Sequence, residues 1–248
     1  RCVGWVSQGQ TGRCMMNFDF DEPQQAISDL TQQIFEDKVT HEHLRSLTNS
    51  GKSFDRDLWV SLAETGVVSA TIDEQFGGAG LNFLSATALL EKVGKYAAPV
   101  PALETIVMGG LPIQEFGNES QKSELLPKIS EGELIVTTAL TFSEQVTAEA
   151  ESVSGSFDFV SYGLEADIFL VPTNTGVYIV ESASTGVSLQ PRETTTGNPQ
   201  AALTLDNGNA QQLGTVTAEE FMTWVRLRID SGICSIMAGA CEASLDLA

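Results

Sequence analysis

The spacing of apolar residues changes twice along this chain, and those changes limit the possible fold more than any other feature. From residue 17 to about 130, apolar side chains recur at three- and four-residue intervals. Ile27, Leu30, Ile34 and Phe35 fall on one helix face. From 134 to 205 the apolar runs are short and rich in β-branched residues, at 134–140, 157–160, 167–171, 177–180, 187–189 and 201–205. Turn residues separate them, such as Thr173-Asn174-Thr175-Gly176 and Gly197-Asn198-Pro199. From about Thr217 the helical period returns through Phe221, Val225, Ile229, Ile236 and Cys241, mixed with Ala238, Gly239, Ala240 and Ala243. This order predicts an α+β chain: an all-α N-terminal domain, a small antiparallel β barrel or sandwich, and the start of a C-terminal helical bundle.

Local signals place the element ends. Glu22-Pro23 opens a helix, because proline suits the first turn. Asp55 caps a second helix through Leu58, Trp59 and Leu62, which Gly66 stops. A third covers about Phe83 to Tyr96 and ends before Pro99 and Pro101. Further helical turns cover about 102–116 and 119–126, punctuated by Gly117 and Pro127. The small residues of the last helix predict close approach of a neighbouring helix. Its broad apolar face needs more partners than one chain segment provides, so it reads as the opening of an unfinished bundle. Residues 1–14 carry neither period and precede Met15-Met16. The expected division is an extension outside the fold at 1–15, a helical domain at 16–132, a β domain at 133–216, and the beginning of a further helical domain at 217–248.

Charge and composition exclude several classes. Asp plus Glu number 33 against 13 Lys plus Arg, a formal net charge of -20. Nucleic acid is therefore not an expected partner, because phosphate binding needs a concentrated positive field. Anionic membrane surfaces are disfavoured for the same reason. No stretch approaches the roughly 18 apolar residues of a membrane span. The first residues also lack the apolar run of a secretory signal. Four cysteines in 248 residues do not make a disulfide framework. Cys234 and Cys241, seven apart on one helix face, read as buried thiols. A soluble, cytoplasmic protein is the expectation.

Three small motifs carry weaker signals. Gly77-Gly78-Ala79-Gly80 lacks the strand–loop–helix spacing of a dinucleotide loop and reads as a structural loop. His41-Glu42-His43 places two imidazoles at i and i+2, which point apart on a helix, so a charged solvated face is preferred to a metal pair. Arg226 and Arg228 are either ordinary surface charge or partners for ligand phosphates.

Several phrases resemble the acyl-CoA dehydrogenase family, in the same order along the chain. They are Met16 to Phe20 with Gln24-Gln25, Leu62-Ala63-Glu64-Thr65-Gly66, and Gln75-Phe76-Gly77-Gly78-Ala79-Gly80-Leu81. Phe116-Gly117-Asn118-Glu119-Ser120-Gln121-Lys122, Leu126-Pro127-Lys128-Ile129 with Gly132-Glu133, and Gly239 to Ala248 follow. The resemblance covers about 16–248. It implies FAD as cofactor, an acyl-CoA thioester as substrate, and α,β-desaturation as the reaction. It also implies assembly as a homo- or hetero-oligomer with subunits of the same family.

The resemblance singles out cofactor-binding positions. Thr141 matches the family's first flavin phrase, but Phe142 stands where a glutamate is usual, no Gly-Ser-Asp turn follows, and the next strands come early, at Val146 and Val153. Thr141 is thus either a flavin contact or an ordinary strand end. Phe159-Val160-Ser161 matches the second flavin phrase, with Ser161 at the position that meets flavin N5 and Phe159 near the ring; a strand end with a core aromatic is the other reading. No metal ligand and no catalytic residue is assigned. In one branch of the family the base lies on the last helix, where Ile229 takes its place and Asp230 is adjacent. The implied function is flavin-dependent desaturation by the complete protein. The alternatives are a non-catalytic partner subunit of a heteromeric enzyme and a catalytically inactive remnant.

Overall fold

A computed structural model describes residues 20–140, 146–195 and 197–248. The expected extension at 1–15, the opening phrase as far as Asp19, and Thr141 and Phe142 lie outside these residues. The helical part begins with α1 (Glu22–Lys38), α2 (His41–Asn49) and α3 (Arg56–Glu64). A short 3-10 turn at Glu74–Phe76 leads to α4 (Phe83–Tyr96). Next comes a π-helical segment, Leu103–Gly110, continuous with α5 (Leu111–Phe116), and then α6 (Glu119–Ser130).

The caps explain why these helices start where they do. Asp21 accepts from the Gln24 backbone N–H while the Gln24 side chain accepts from the Asp21 N–H, a reciprocal capping box. Asn118 and Gln121 repeat it at α6. Asp55 caps α3 by accepting from the Leu58 N–H at 3.0 Å. Its other carboxylate oxygen lies 2.6 Å from His43 Nε2, which ties α2 to the start of α3. The last helical turns run further than the sequence predicts: α6 continues through Pro127 to Ser130. Leu125, Leu126 and Ile129 are buried there, so tertiary packing outweighs the hydrogen bond that proline removes.

Among the described residues, eight strands form two four-stranded sheets. One has the order β1 (Val136–Thr138), β4 (Ile168–Pro172), β5 (Val177–Glu181), β8 (Gln211–Gln212). The other has β2 (Thr147–Glu149), β3 (Ser152–Ser161), β7 (Gln200–Asn209) and β6 (Val187–Arg192). The expected sandwich is present, with one parallel pair, β1 with β4, among antiparallel ones. Phe169, Val171, Tyr178 and Val180 of the first sheet face the second, against Val153, Phe157, Leu203 and Leu205. Ile168, Leu170, Val177 and Ile179 point the other way, into the helical core with Leu126 and Phe221. Every residue of β4 is buried, which is why its sequence reads as a continuous apolar run instead of an alternation.

Two close backbone approaches join the layers. The Thr138 hydroxyl donates to the Met108 carbonyl, and a Cβ on Gly109 would come within 2.6 Å of Val136 Cβ. Strand β1 therefore lies directly on the π-helical segment. The final helix, α7 (Ala218–Asp246), crosses α4 at equally short range. A Cβ on Gly239 would lie 1.8 Å from the Glu91 carbonyl oxygen, and one on Gly94 would lie 1.9 Å from the Ile236 carbonyl oxygen. Lys95 closes the crossing with an ion pair to Glu242 at 2.7 Å. The small residues in the last helix do permit the predicted close packing.

The expected burial of Cys234 and Cys241 is overturned: both are exposed. The packed face of α7 runs through Phe221, Val225, Ile229, Gly232, Ile236 and Gly239. Cys234 lies two residues past Gly232 and so about 200° round the helix from it. Leu227 and Met237 are exposed as well.

Two predictions follow from these contacts. Gly239→Val introduces a β-carbon where the Glu91 backbone already lies, and is expected to lower the unfolding free energy by about 3 kcal/mol or more. Ala240→Val, one residue on and exposed, should cost under about 1 kcal/mol. Urea denaturation of both variants gives the comparison, and equal costs would refute the close crossing. Asp55→Ala removes a buried cap and the partner of His43, for an expected loss of about 1–2 kcal/mol. Asp55→Asn keeps the cap acceptor and should lose less in the same measurement.

Candidate functional site

The residues singled out for the site lie at the end of β3, and a break in register decides which way they face. Phe157 pairs with Leu203 and Val160 with Ala201, so three steps on β3 oppose two on β7. This bulge lets Phe157 and Val160 both point into the sandwich. The residues flanking Val160 must then point outward. Phe159 is accordingly 49% exposed, and Ser161 is half-buried on the same outer face. Of the two readings of Phe159, the core aromatic is excluded.

The Ser161 hydroxyl accepts a hydrogen bond of 3.0 Å from Gln200 Nε2, its register partner on β7. The carboxyl of Glu104, which comes from the π-helical segment, lies near it. Glu104 is only 7% exposed. Burial raises its pKa above the ordinary carboxylate value, against the lowering effects of its own backbone and of Ser161. The chain then turns through Tyr162, whose φ of 51° is in the left-handed region and costs about 1 kcal/mol. The Tyr162 N–H donates to the Pro199 carbonyl, and its ring meets Phe54 edge-on, which holds the turn in place. Burial pushes the Tyr162 phenol well above its usual pKa, helped by the negative potential of Glu104 and Glu165. Glu165 is itself raised by burial, and its Oε2 is buried without a hydrogen-bond partner.

The site thus offers an outward aromatic ring and hydroxyl two residues apart, backed by a buried carboxyl. That suits the edge and face of a flat heteroaromatic ligand. Glu104 was not among the residues picked from sequence. Its signal was a lone carboxylate in the buried run Leu103-Glu104-Thr105-Ile106-Val107-Met108, a position where an ionisable group is rarely incidental.

The remaining candidates lie elsewhere. Ile229 packs in the helical core and Asp230, about 100° further round α7, is exposed. His43 is engaged with Asp55, and its neighbour His41 is exposed. Arg226 is exposed, whereas the Arg228 guanidinium stacks 3.4 Å from the Trp224 ring centroid and donates to the Trp224 carbonyl. The glycine-rich loop is structural: a Cβ on Gly78 would meet the Ile72 carbonyl oxygen at 1.9 Å. A groove of about 670 Å³ beside that loop is lined by Glu64, Glu131 and Glu133 and by no cation, so it is ill suited to phosphate and lies apart from Ser161. No helix among the described residues is long and apolar enough to cross a membrane.

Comparison with known proteins bears on what this arrangement serves. The family model for the acyl-CoA dehydrogenase N-terminal domain matches residues 21–133. The chain is 28% identical over 244 residues to acyl-CoA dehydrogenase FadE27 of Mycobacterium tuberculosis, a match that spans 94% of this chain and 65% of that protein's length. Its structure is similar to that of the ChsE4-ChsE5 complex from the same organism, with a TM-score of 0.86 and 28% identity over 94% of this chain and 67% of the other. It also shares the fold of an acyl-CoA dehydrogenase from Bacillus anthracis complexed with FAD, with a TM-score of 0.75 and 24% identity over 88% of this chain and 42% of that one. Residues 21–133 thus match the acyl-CoA dehydrogenase N-terminal domain, and the order of helices, sandwich and closing helix makes the chain similar to acyl-CoA dehydrogenases through all three.

Proposed function

We propose that the complete protein is an acyl-CoA dehydrogenase-like flavoprotein that desaturates an acyl-CoA thioester at the α,β bond in the cytoplasm. The observation that carries this reading is the outward placement of Phe159 and Ser161 by the β3 bulge. Those are the two family flavin-phrase residues that the structure describes, and both are presented to a ligand instead of to the core. FAD, when bound, supplies the hydride acceptor of the reaction. Ser161 would hold its ring edge and Phe159 would cover its face, while Thr141 is proposed as a further contact. Glu104, Tyr162 and Phe54 keep the turn dry and rigid, which favours the orientation such a transfer needs. The proposed division is a helical domain at 16–132, a β domain at 133–216 and the start of a helical bundle from 217. Residues 1–15 lie outside it.

A second reading has its own support. Phe142 replaces the usual glutamate of the flavin phrase, and Ile229 is packed in the core at one family position for the base. Loss of both suits a non-catalytic subunit that pairs with an active one, as in a mixed assembly with other family members; an inactive remnant is the limiting case. The similar structure of a ChsE4-ChsE5 complex supports looking for such a partner.

Full-length protein is expected to purify yellow, with flavin absorbance in stoichiometric amount. Ser161→Ala is expected to weaken FAD binding by about 1 kcal/mol, roughly fivefold, measured by quenching of flavin fluorescence. Colourless protein that takes up no FAD would overturn the flavoprotein reading. A homo-oligomer with its own acyl-CoA desaturation activity would overturn the partner-subunit reading, and co-purification of a second family member would support it.

A further inference from the structure

We infer that Gln200 is a positioning residue: it occupies one lone pair of the Ser161 hydroxyl and so leaves the serine's single hydrogen for an acceptor on a ligand at the outer face. The argument starts from register. Ser161 of β3, Gln200 of β7 and Arg192 of β6 are cross-strand partners in one row. Partners in register share a face of the sheet. The row therefore lies on the outer side with Ser161, and the exposed Phe159 is two residues before it in β3.

Within this row the hydrogen bond has a definite direction. Gln200 Nε2 donates to Ser161 Oγ at 3.0 Å. A serine hydroxyl has one hydrogen and two lone pairs. With one lone pair taken by the amide, Ser161 keeps its hydrogen. An amide can meet a hydroxyl with either end, because Nε2 donates and Oε1 accepts. Arg192 lies on the far side of Gln200 in the row, and a guanidinium carries only donors and a positive charge. That charge favours Oε1 on its own side and Nε2 toward Ser161. Burial holds the nearby Glu104 carboxyl above the ordinary carboxylate pKa, which weakens its competition for the serine hydrogen.

The outer face thus offers a hydrogen to its occupant. The Phe159 ring beside it supplies a surface for stacking. The matching ligand is a flat heteroaromatic system whose edge carries an acceptor, an unprotonated ring nitrogen or a ring carbonyl. The link to flavin rests on the function proposed above. The contact between Gln200 and Ser161 does not, and it can be read without flavin.

Proton–nitrogen NMR of the intact, flavin-free protein should show the Gln200 side-chain NH2 pair, identified by its loss in Gln200→Glu. One of its protons is expected downfield of those of exposed glutamines. Ser161→Ala should move that proton upfield, Ser161→Thr, which keeps the hydroxyl, should hold it in place, and Phe159→Ala should leave it unchanged. A resonance that ignores Ser161→Ala, or that Phe159→Ala moves equally, overturns the proposal.

FAD titration reads the direction of the hydrogen. Gln200→Glu has nearly the same shape, but an ionised carboxylate only accepts, so Ser161 must donate to it and has no hydrogen left for the outer face. FAD affinity should then fall roughly fivefold, as in Ser161→Ala. Gln200→Leu leaves the serine hydrogen free and should cost under about twofold. In the Ser161→Ala background, Gln200→Glu should likewise add under about twofold, because its effect passes through the hydroxyl. Equal losses in Gln200→Glu and Gln200→Leu, or an undiminished loss in the Ser161→Ala background, overturn the proposal and leave the flavoprotein reading standing. Absence of FAD binding in wild type, with the Ser161-dependent Gln200 resonance intact, would sink the flavoprotein reading and leave the Gln200–Ser161 contact standing.

Discussion

Burial of β4 and β5 on both faces is the constraint on which the rest of this structure depends. Phe169, Val171, Tyr178 and Val180 close the sandwich on one side. Ile168, Leu170, Val177 and Ile179 anchor the helices on the other. At about 25 cal/mol for each Å² of apolar surface removed from water, a strand buried twice contributes twice over, and neither layer can shed the middle sheet without exposing its own core. The parallel pairing of β1 with β4 extends this sheet to the π-helical segment, where Gly109 and the Thr138–Met108 hydrogen bond fix the spacing. That contact brings Glu104 from the helical layer close to the second sheet.

The site is therefore a product of three elements with little in common in sequence. The β3 bulge turns Phe159 and Ser161 outward. Strand β7 delivers Gln200, and the π-helical segment delivers a buried carboxyl. A π-helical winding is uncommon and tends to occur at functional sites, and here it carries a buried acid beside the site. The unpartnered Glu165 oxygen and the left-handed Tyr162 lie in the same turn, so unsatisfied polarity and backbone strain both collect beside Ser161.

Much of the fold was legible because its causes are local. Glu22-Pro23 and Asp55 announced two of the helix starts, and the apolar periods distinguished helix from strand, whereas the capping roles of Asp21 and Asn118 emerged only in the structure. The small residues of α7 foretold the close crossing over α4, since only a missing Cβ permits it. Errors arose where a distant neighbour decides. Helix α6 passes through Pro127 because Leu126 and Ile129 are already held in the core. Cys234 and Cys241 share a helix face as expected, but α4 packs on the opposite one, and nothing in the heptad spacing says which face a neighbour will choose.

The sequence by itself determined the class of most elements, the order of the layers, the family resemblance and two of the residues that line the candidate site. Periodicity, capping and glycine placement act over a few residues and are written directly in the chain. Only the tertiary structure decided the direction in which those residues point and which groups meet them. A single bulge reverses every side chain beyond it, so whether Phe159 lies in the core or at the surface depends on its pairing with β7 and not on its own alternation. Glu104 and the end of β3 are far apart in the chain and come near each other only because two packed layers share one sheet. The carboxyl's altered proton affinity comes from that shared burial.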